Sequence, residues 1–134
     1  MTTYETHELE GALLDMAVAM AEGKRCILRH YLGDGTRPVS KAELVIELGD
    51  RSERTESYYP SSRWEIGGPI MEREGIATFS YTYDGTRYWA ASTEGAYPTS
   101  RHGATSLLVA GMRAFVVSKL GDLIDISPDQ GSTK

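Results

Sequence analysis

Between residues 58 and 73 the chain gathers side-chain types suited to a phosphate-bearing aromatic molecule. Tyr58, Tyr59 and Trp64 offer flat faces for stacking a base. Ser61 and Ser62 offer hydroxyls, and Arg63 and Arg73 offer paired N–H donors for phosphate. Gly67-Gly68-Pro69-Ile70 adds two glycines before a proline, a residue favoured in the first turn of a helix. Read as a helix start, this predicts a short helix over 69–74, ended by Gly75. The amides of Gly68 to Ile70 would then lie at the positive end of its dipole, where an anion binds. Each part also has an ordinary structural role: a tight turn for Gly-Gly-Pro, a core anchor for Trp64, an ion pair with Glu72 or Glu65 for Arg73. Two residues further along complete the set. Trp89 and its neighbour Tyr88 must face opposite sides of a strand, so one reaches the core and the other something else. Arg113 interrupts an apolar helical run between Met112 and Ala114, which places it against an acid or in a pocket. The expected ligand-binding residues are therefore Tyr59, Ser61, Ser62, Trp64, Gly67, Gly68, Pro69, Ile70, Arg73, Trp89 and Arg113.

Motifs of catalysis are missing. His7, His30 and His102 lie far apart and show no metal-ligand spacing. The chain holds no Walker loop, dinucleotide fingerprint or nucleophile elbow, since Ser100 and Ser118 lack the required glycine context. Glu72 and Glu74 stand two apart on a helix, hence on different faces, which argues against a working carboxylate pair. Catalytic residues, metal ligands and a cofactor are not expected.

Composition agrees with a binder of something small. The apolar fraction of 40% and charged fraction of 25% are those of an ordinary globule, and 134 residues suffice for one core. Fourteen basic against nineteen acidic residues give a net charge of −5, which argues against a nucleic-acid polymer as partner. All of that charge lies in residues 1–22, where Glu5, Glu8, Glu10, Asp15 and Glu22 face no Lys or Arg. Ten of the fourteen basic residues are Arg, the cation favoured for planar phosphate recognition and for subunit contacts. The lone Cys26 excludes an internal disulfide and reads as a buried structural thiol. No apolar run approaches the ~20 residues of a membrane span, and no signal segment precedes the first helix, so a cytoplasmic protein without a membrane partner is expected.

The elements that must position these residues follow from periodicity. Leu9, Leu13, Met16 and Met20 mark one face of a helix over 7–22, capped by Thr6 and stopped by Gly23, with 1–4 frayed and Asp15 and Glu22 turned outward. A strand over 24–32 leads into a turn at 33–35. The segment 42–48 reads as a short strand, and the uniformly polar 51–57 as a solvated loop or strand end. Aromatic and β-branched residues on both sides of Asp84-Gly85-Thr86 predict a hairpin of 76–83 and 87–92. A Gly/Pro/Ser-rich connection over 93–103 precedes the strongest helix, 105–120. Its apolar surface is wide enough to be buried on two sides, one of them against the first helix or a second subunit. The expected architecture is α+β. A single domain over 1–126 has a mainly antiparallel sheet, packed by an N-terminal and a C-terminal helix with a short helix at the rim, and 127–134 forms a disordered tail.

These residues also carry a resemblance. Glu8-Leu9-Glu10-Gly11-Ala12-Leu13-Leu14-Asp15 through Ala21-Glu22-Gly23 is similar to the phage NinX-like family. So are Tyr59-Pro60-Ser61-Ser62-Arg63-Trp64 with Gly67-Gly68-Pro69-Ile70-Met71-Glu72-Arg73-Glu74, and Met112-Arg113-Ala114-Phe115-Val116-Val117-Ser118-Lys119-Leu120-Gly121-Asp122. Order and spacing agree over most of the chain. Departures fall in 33–54, longer than the family pattern, and in 97–103, where the usual Gly-Pro-Thr entry reads Gly103-Ala104-Thr105. The resemblance implies a small accessory phage or prophage protein acting in the host cytoplasm, and it brings no enzymatic activity with it.

Three functional expectations follow. The first is a non-catalytic, homodimeric or larger binder that sequesters a nucleotide-derived host immune signal of the cyclic ADP-ribose or cyclic dinucleotide type. The second is an interaction module that engages a host or phage protein through the acidic first helix or the aromatic hairpin. The third is an enzyme that cleaves the same signals.

Overall fold

The computed structural model describes residues 2–32, 38–93, 103–127 and 129–130. The expected turn at 33–35 and most of the connection over 93–103 lie outside the described residues. At the centre of the fold is helix α1 (Gly11–Ala21), in which Leu14, Met16, Ala17, Val18 and Ala19 are all fully buried. Burial all round is not the pattern of a surface helix with one apolar stripe. The reason is that α1 is covered twice: by strands β2 (Cys26–Leu32) and β3 (Pro38–Glu47) on one side and by helix α3 (Leu107–Leu120) on another. Asp15, expected outside, is consequently only 3% exposed.

Strands β2 and β3 pair antiparallel with Cys26 opposite Leu44 and Arg29 opposite Lys41. Strand β4 (Glu53–Ser57) adds to the far side of β3, and every one of its residues is exposed. At the other edge β8 (Asp129–Gln130) pairs with Cys26 and Ile27, so two residues of the segment read as a disordered tail complete a four-stranded sheet in the order β4-β3-β2-β8. Residues 2–4, expected to be frayed, are likewise ordered in a strand. Strand β1 (Thr2–Glu5) pairs with β7 (Leu123–Ile126), Thr2 opposite Ile126. A 3-10 turn at Thr6–Glu8 then leads to α1. Thr6 does not cap α1; it is buried, and its hydroxyl donates to the Gly121 carbonyl at 2.7 Å.

The hairpin forms as the sequence predicts. Strands β5 (Ala77–Tyr83) and β6 (Thr86–Ser92) pair in register with Tyr81 opposite Tyr88, and Asp84 and Gly85 both take the positive φ of a two-residue turn. Helix α3 begins at Ser106, whose hydroxyl accepts from the Val109 amide at 3.3 Å. Its broad apolar surface packs against α1, α2 (Trp64–Glu74), β5 and β6, with Leu120 at its end exposed. The fold class is α+β, with antiparallel sheets and the helices where the sequence places them, except that α2 is longer than expected.

A corner of aromatic and cationic side chains at the start of α2

The chain reaches α2 through a turn anchored in the core. Past β4, Tyr58 is buried and its amide donates to the Ala42 carbonyl at 2.9 Å, which extends the sheet ladder by one residue. Burial also pushes the Tyr58 phenol well above its usual pKa range, with Glu22 and Asp15 adding to the effect, and its hydroxyl has no hydrogen-bond partner among the described residues. The Tyr59 carbonyl then accepts from the amides of Ser62 (3.2 Å) and Arg63 (2.8 Å), closing a turn that holds Pro60 and Ser61 inside. Ser61 is held by Asp15, whose Oδ1 accepts from its amide at 2.8 Å. Desolvation raises the Asp15 carboxyl from 3.8 to about 6, against the lowering effect of the Ser61 hydrogen bonds.

This turn moves the helix start. The Arg63 carbonyl already accepts from Ile66 (3.0 Å) and Gly67 (2.9 Å), so α2 begins at Trp64 and Pro69 lies inside it. The amides of Gly67, Gly68 and Ile70 are therefore helix interior and form no anion cradle, which corrects the reading of Pro69 as first-turn residue. Gly67 instead permits close packing: a Cβ there would collide with the Pro60 carbonyl oxygen and lie 2.7 Å from Leu108 Cδ1. Ile70 is buried in the core, Pro69 is exposed, and Gly75 closes the helix at φ 64°.

The positive end of α2 thus lies at Arg63 and Trp64, and no side chain caps it. Trp64 is 57% exposed there, its indole passing over Gly68, whose Cβ position is 3.6 Å from Trp64 Cε3. Ser62 and Arg63 are exposed beside it. Tyr59 stands behind them. Its phenol is held below the usual range by hydrogen bonds with Ser57 and Lys41 and by the nearby charges of Lys41 and Arg63. Arg63 makes no ion pair with any described residue. The sequence points to Tyr59, Ser62, Arg63 and Trp64; Lys41, which hydrogen-bonds Tyr59 from β3, carries no local signal there.

The remaining expected residues sit elsewhere. Arg73 pairs through both terminal nitrogens with Glu22 (3.2 and 2.9 Å) and through Nε with Glu74 (2.8 Å), while its guanidinium lies 5.6 Å from the Phe115 ring centre. Its pKa is raised by those carboxylates, Glu22 first. Arg113 is buried on another side of α3, where its Nε donates to the Leu9 carbonyl at 2.7 Å. Burial lowers its pKa against the pull of Glu10 and Glu8. Arg113 and Phe115, two residues apart, point to nearly opposite sides of the helix, so Arg73 and Arg113 cannot serve one ligand. Trp89 and Arg113 do meet, with His7, in a cleft walled by Ala90, Ala91, Ala110 and Ala114. At about 30 Å³ that cleft is the size of a single water. A roomier groove of about 410 Å³ runs beside the N-terminus, with Tyr4, Leu9 and Leu13 between Glu5, Glu8 and Glu10. Among the described residues no three His, Cys, Asp or Glu side chains come together as a metal site.

These features define a small α+β protein whose long helices are buried between antiparallel sheets and whose second helix presents an uncapped, cation-flanked aromatic end. Comparison with known families places it further. The model of the Bacteriophage P22 NinX family matches residues 5–119, and the chain belongs to that family. No curated protein matches it. No helix among the described residues is long and apolar enough to cross a membrane.

Proposed function

We propose that this phage-family protein is a non-catalytic binder that withholds a small nucleotide-derived host signal, of the cyclic ADP-ribose or cyclic dinucleotide class, in the host cytoplasm. The observation that carries the reading is the exposed Trp64 at the uncapped start of α2, next in sequence to Arg63, whose charge also acts on the Tyr59 phenol that Lys41 hydrogen-bonds. An exposed indole is a stacking platform for a base. The first-turn amides of Trp64 and Glu65 precede the first intrahelical acceptor, and with Arg63 and Lys41 they suit a phosphate. Ser62 would meet a ribose hydroxyl; Ser61 is committed to Asp15 and does not take part.

The test is to incubate the purified chain with a panel of linear and cyclic nucleotide signals, remove free ligand, and denature the protein by heat. Sequestration predicts intact ligand released only on denaturation. Conversion of the ligand supports the enzymatic alternative instead, and neither retention nor conversion of any member of the panel refutes both.

A second reading rests on the groove beside the N-terminus. Its apolar floor and its rim of Glu5, Glu8 and Glu10 suit a basic amphipathic segment of a partner protein. Charge reversal at these three residues would abolish capture of such a partner, whereas Trp64→Ala would leave it unchanged.

A further inference from the structure

Strand edges differ sharply in how they are protected. A strand paired on one side only leaves a row of N–H and C=O groups open to another chain, and proteins usually blunt such an edge with charge. Strand β4 carries Glu53, Arg54 and Glu56, β1 carries Glu5, and β7 carries Asp125. Strand β5 reads Ala77-Thr78-Phe79-Ser80-Tyr81-Thr82-Tyr83, with no charge and no proline, and among the described residues it pairs only with β6. Phe79 is 43% exposed on it and Tyr83 71%.

The direction of its backbone groups follows from β6. Trp89, opposite Ser80, donates its amide to the Ala104 carbonyl at 2.7 Å and accepts from the Ala104 amide at 3.0 Å. Both of its backbone groups therefore point away from β5. In an antiparallel ladder facing residues alternate between exchanging both bonds and exchanging neither, so Ser80 and Trp89 form a non-bonded pair. The N–H and C=O of Ser80 must then point to the open edge, as must those of Thr78 and Thr82, which share its parity.

We infer that this edge is a homodimer interface: the β5 strands of two copies pair antiparallel about a two-fold axis at Ser80. In that register Ser80 exchanges both backbone bonds with Ser80 of the second copy, and Thr78 does so with the second copy's Thr82. The outward groups of both strands are satisfied at once. Between these bonded pairs fall the non-bonded ones, where side chains approach more closely. There Phe79 faces the second copy's Tyr81, and Ala77 its Tyr83. Aromatic pairs stabilise such contacts, and no like charges oppose. The contact is isologous, so it closes at two subunits and extends each hairpin into a continuous four-stranded sheet.

Sedimentation velocity of the full chain over a concentration series tests this. Wild type forms a dimer whose fraction rises with concentration. Ser80→Pro removes a donor that faces only the open edge, so the hairpin survives, as circular dichroism would verify, and the dimer dissociation constant rises at least about tenfold. The variant Thr78→Lys with Thr82→Lys places like charges opposite each other and is monomeric, while Thr78→Lys with Thr82→Glu places opposite charges there and dimerises. If Ser80→Pro fails to fold, the two lysine variants decide alone. A wild type that is monomeric throughout overturns the inference. So does equal dimerisation of the like-charged and opposite-charged variants.

Discussion

The Ser61 amide donates to Asp15 Oδ1 at 2.8 Å inside the fold, and this bond ties the central helix to the turn that starts α2. A carboxylate buried to 3% exposure is there because the turn brings a backbone donor that the interior would otherwise leave unpaired. The bond therefore links the most buried helix to the residues offered to a ligand, Ser62, Arg63 and Trp64.

The arrangement sets a pH dependence. Desolvation raises Asp15 from 3.8 to about 6, so the folded protein holds this proton more tightly than the unfolded chain does. Stability accordingly increases as pH falls from about 6 toward 3.8, and the charged form costs roughly 2–3 kcal/mol above that window. Asp15→Asn retains an oxygen for the Ser61 amide without the charge. Denaturant titrations should find it more stable than wild type above the shifted pKa, with the gain lost below 3.8. Asp15→Ala also removes the charge but leaves the amide unpaired, and should be about 1–3 kcal/mol less stable than Asp15→Asn.

Glycines of α2 and α3 should respond unequally to alanine. Gly67→Ala drives a methyl into the Pro60 carbonyl and Leu108, neither of which can yield cheaply, so thermal denaturation should show a loss above about 2 kcal/mol. Gly111→Ala meets only the flexible end of Met71, at 2.7 Å from Sδ, and should cost less. Gly68→Ala makes an ordinary contact with Trp64 and should gain about 0.5–1 kcal/mol of helix propensity.

The two arginines outside the corner should separate in the same assay. Arg73 is half-exposed, so Arg73→Ala should cost under about 1 kcal/mol, and less as salt is added. Arg113 is buried, and its loss orphans the Leu9 carbonyl, so Arg113→Ala should cost about 2–3 kcal/mol with little salt dependence.

Periodicity and turn chemistry carried much of the fold: the presence of helices α1 and α3, the Asp84-Gly85 hairpin, and Gly75 as the end of α2. What escaped was set by distant partners. Strands β1 and β7 join opposite ends of the chain, and nothing in Thr2 to Glu5 alone announces a strand. Asp15 looked solvated because the helix was read with one buried face, whereas a sheet and a second helix cover it from two sides. Pro69 suggested a helix start, but the turn at Tyr59 had already nucleated α2 five residues earlier. At the candidate site the residue types were legible and their grouping was not. Arg63 and Lys41 converge on Tyr59, while Arg73 and Arg113 are committed to Glu22 and to Leu9.

Calorimetric titration of the full chain with cyclic ADP-ribose-type and cyclic dinucleotide ligands, repeated with Trp64→Ala and Arg63→Ala, tests the central claim most directly. Binding by wild type should weaken in Trp64→Ala by the ~1–3 kcal/mol that a stacked base contributes, with a comparable loss in Arg63→Ala and none in Gly68→Ala. An absence of binding across the panel, or affinities unchanged in both variants, would contradict it.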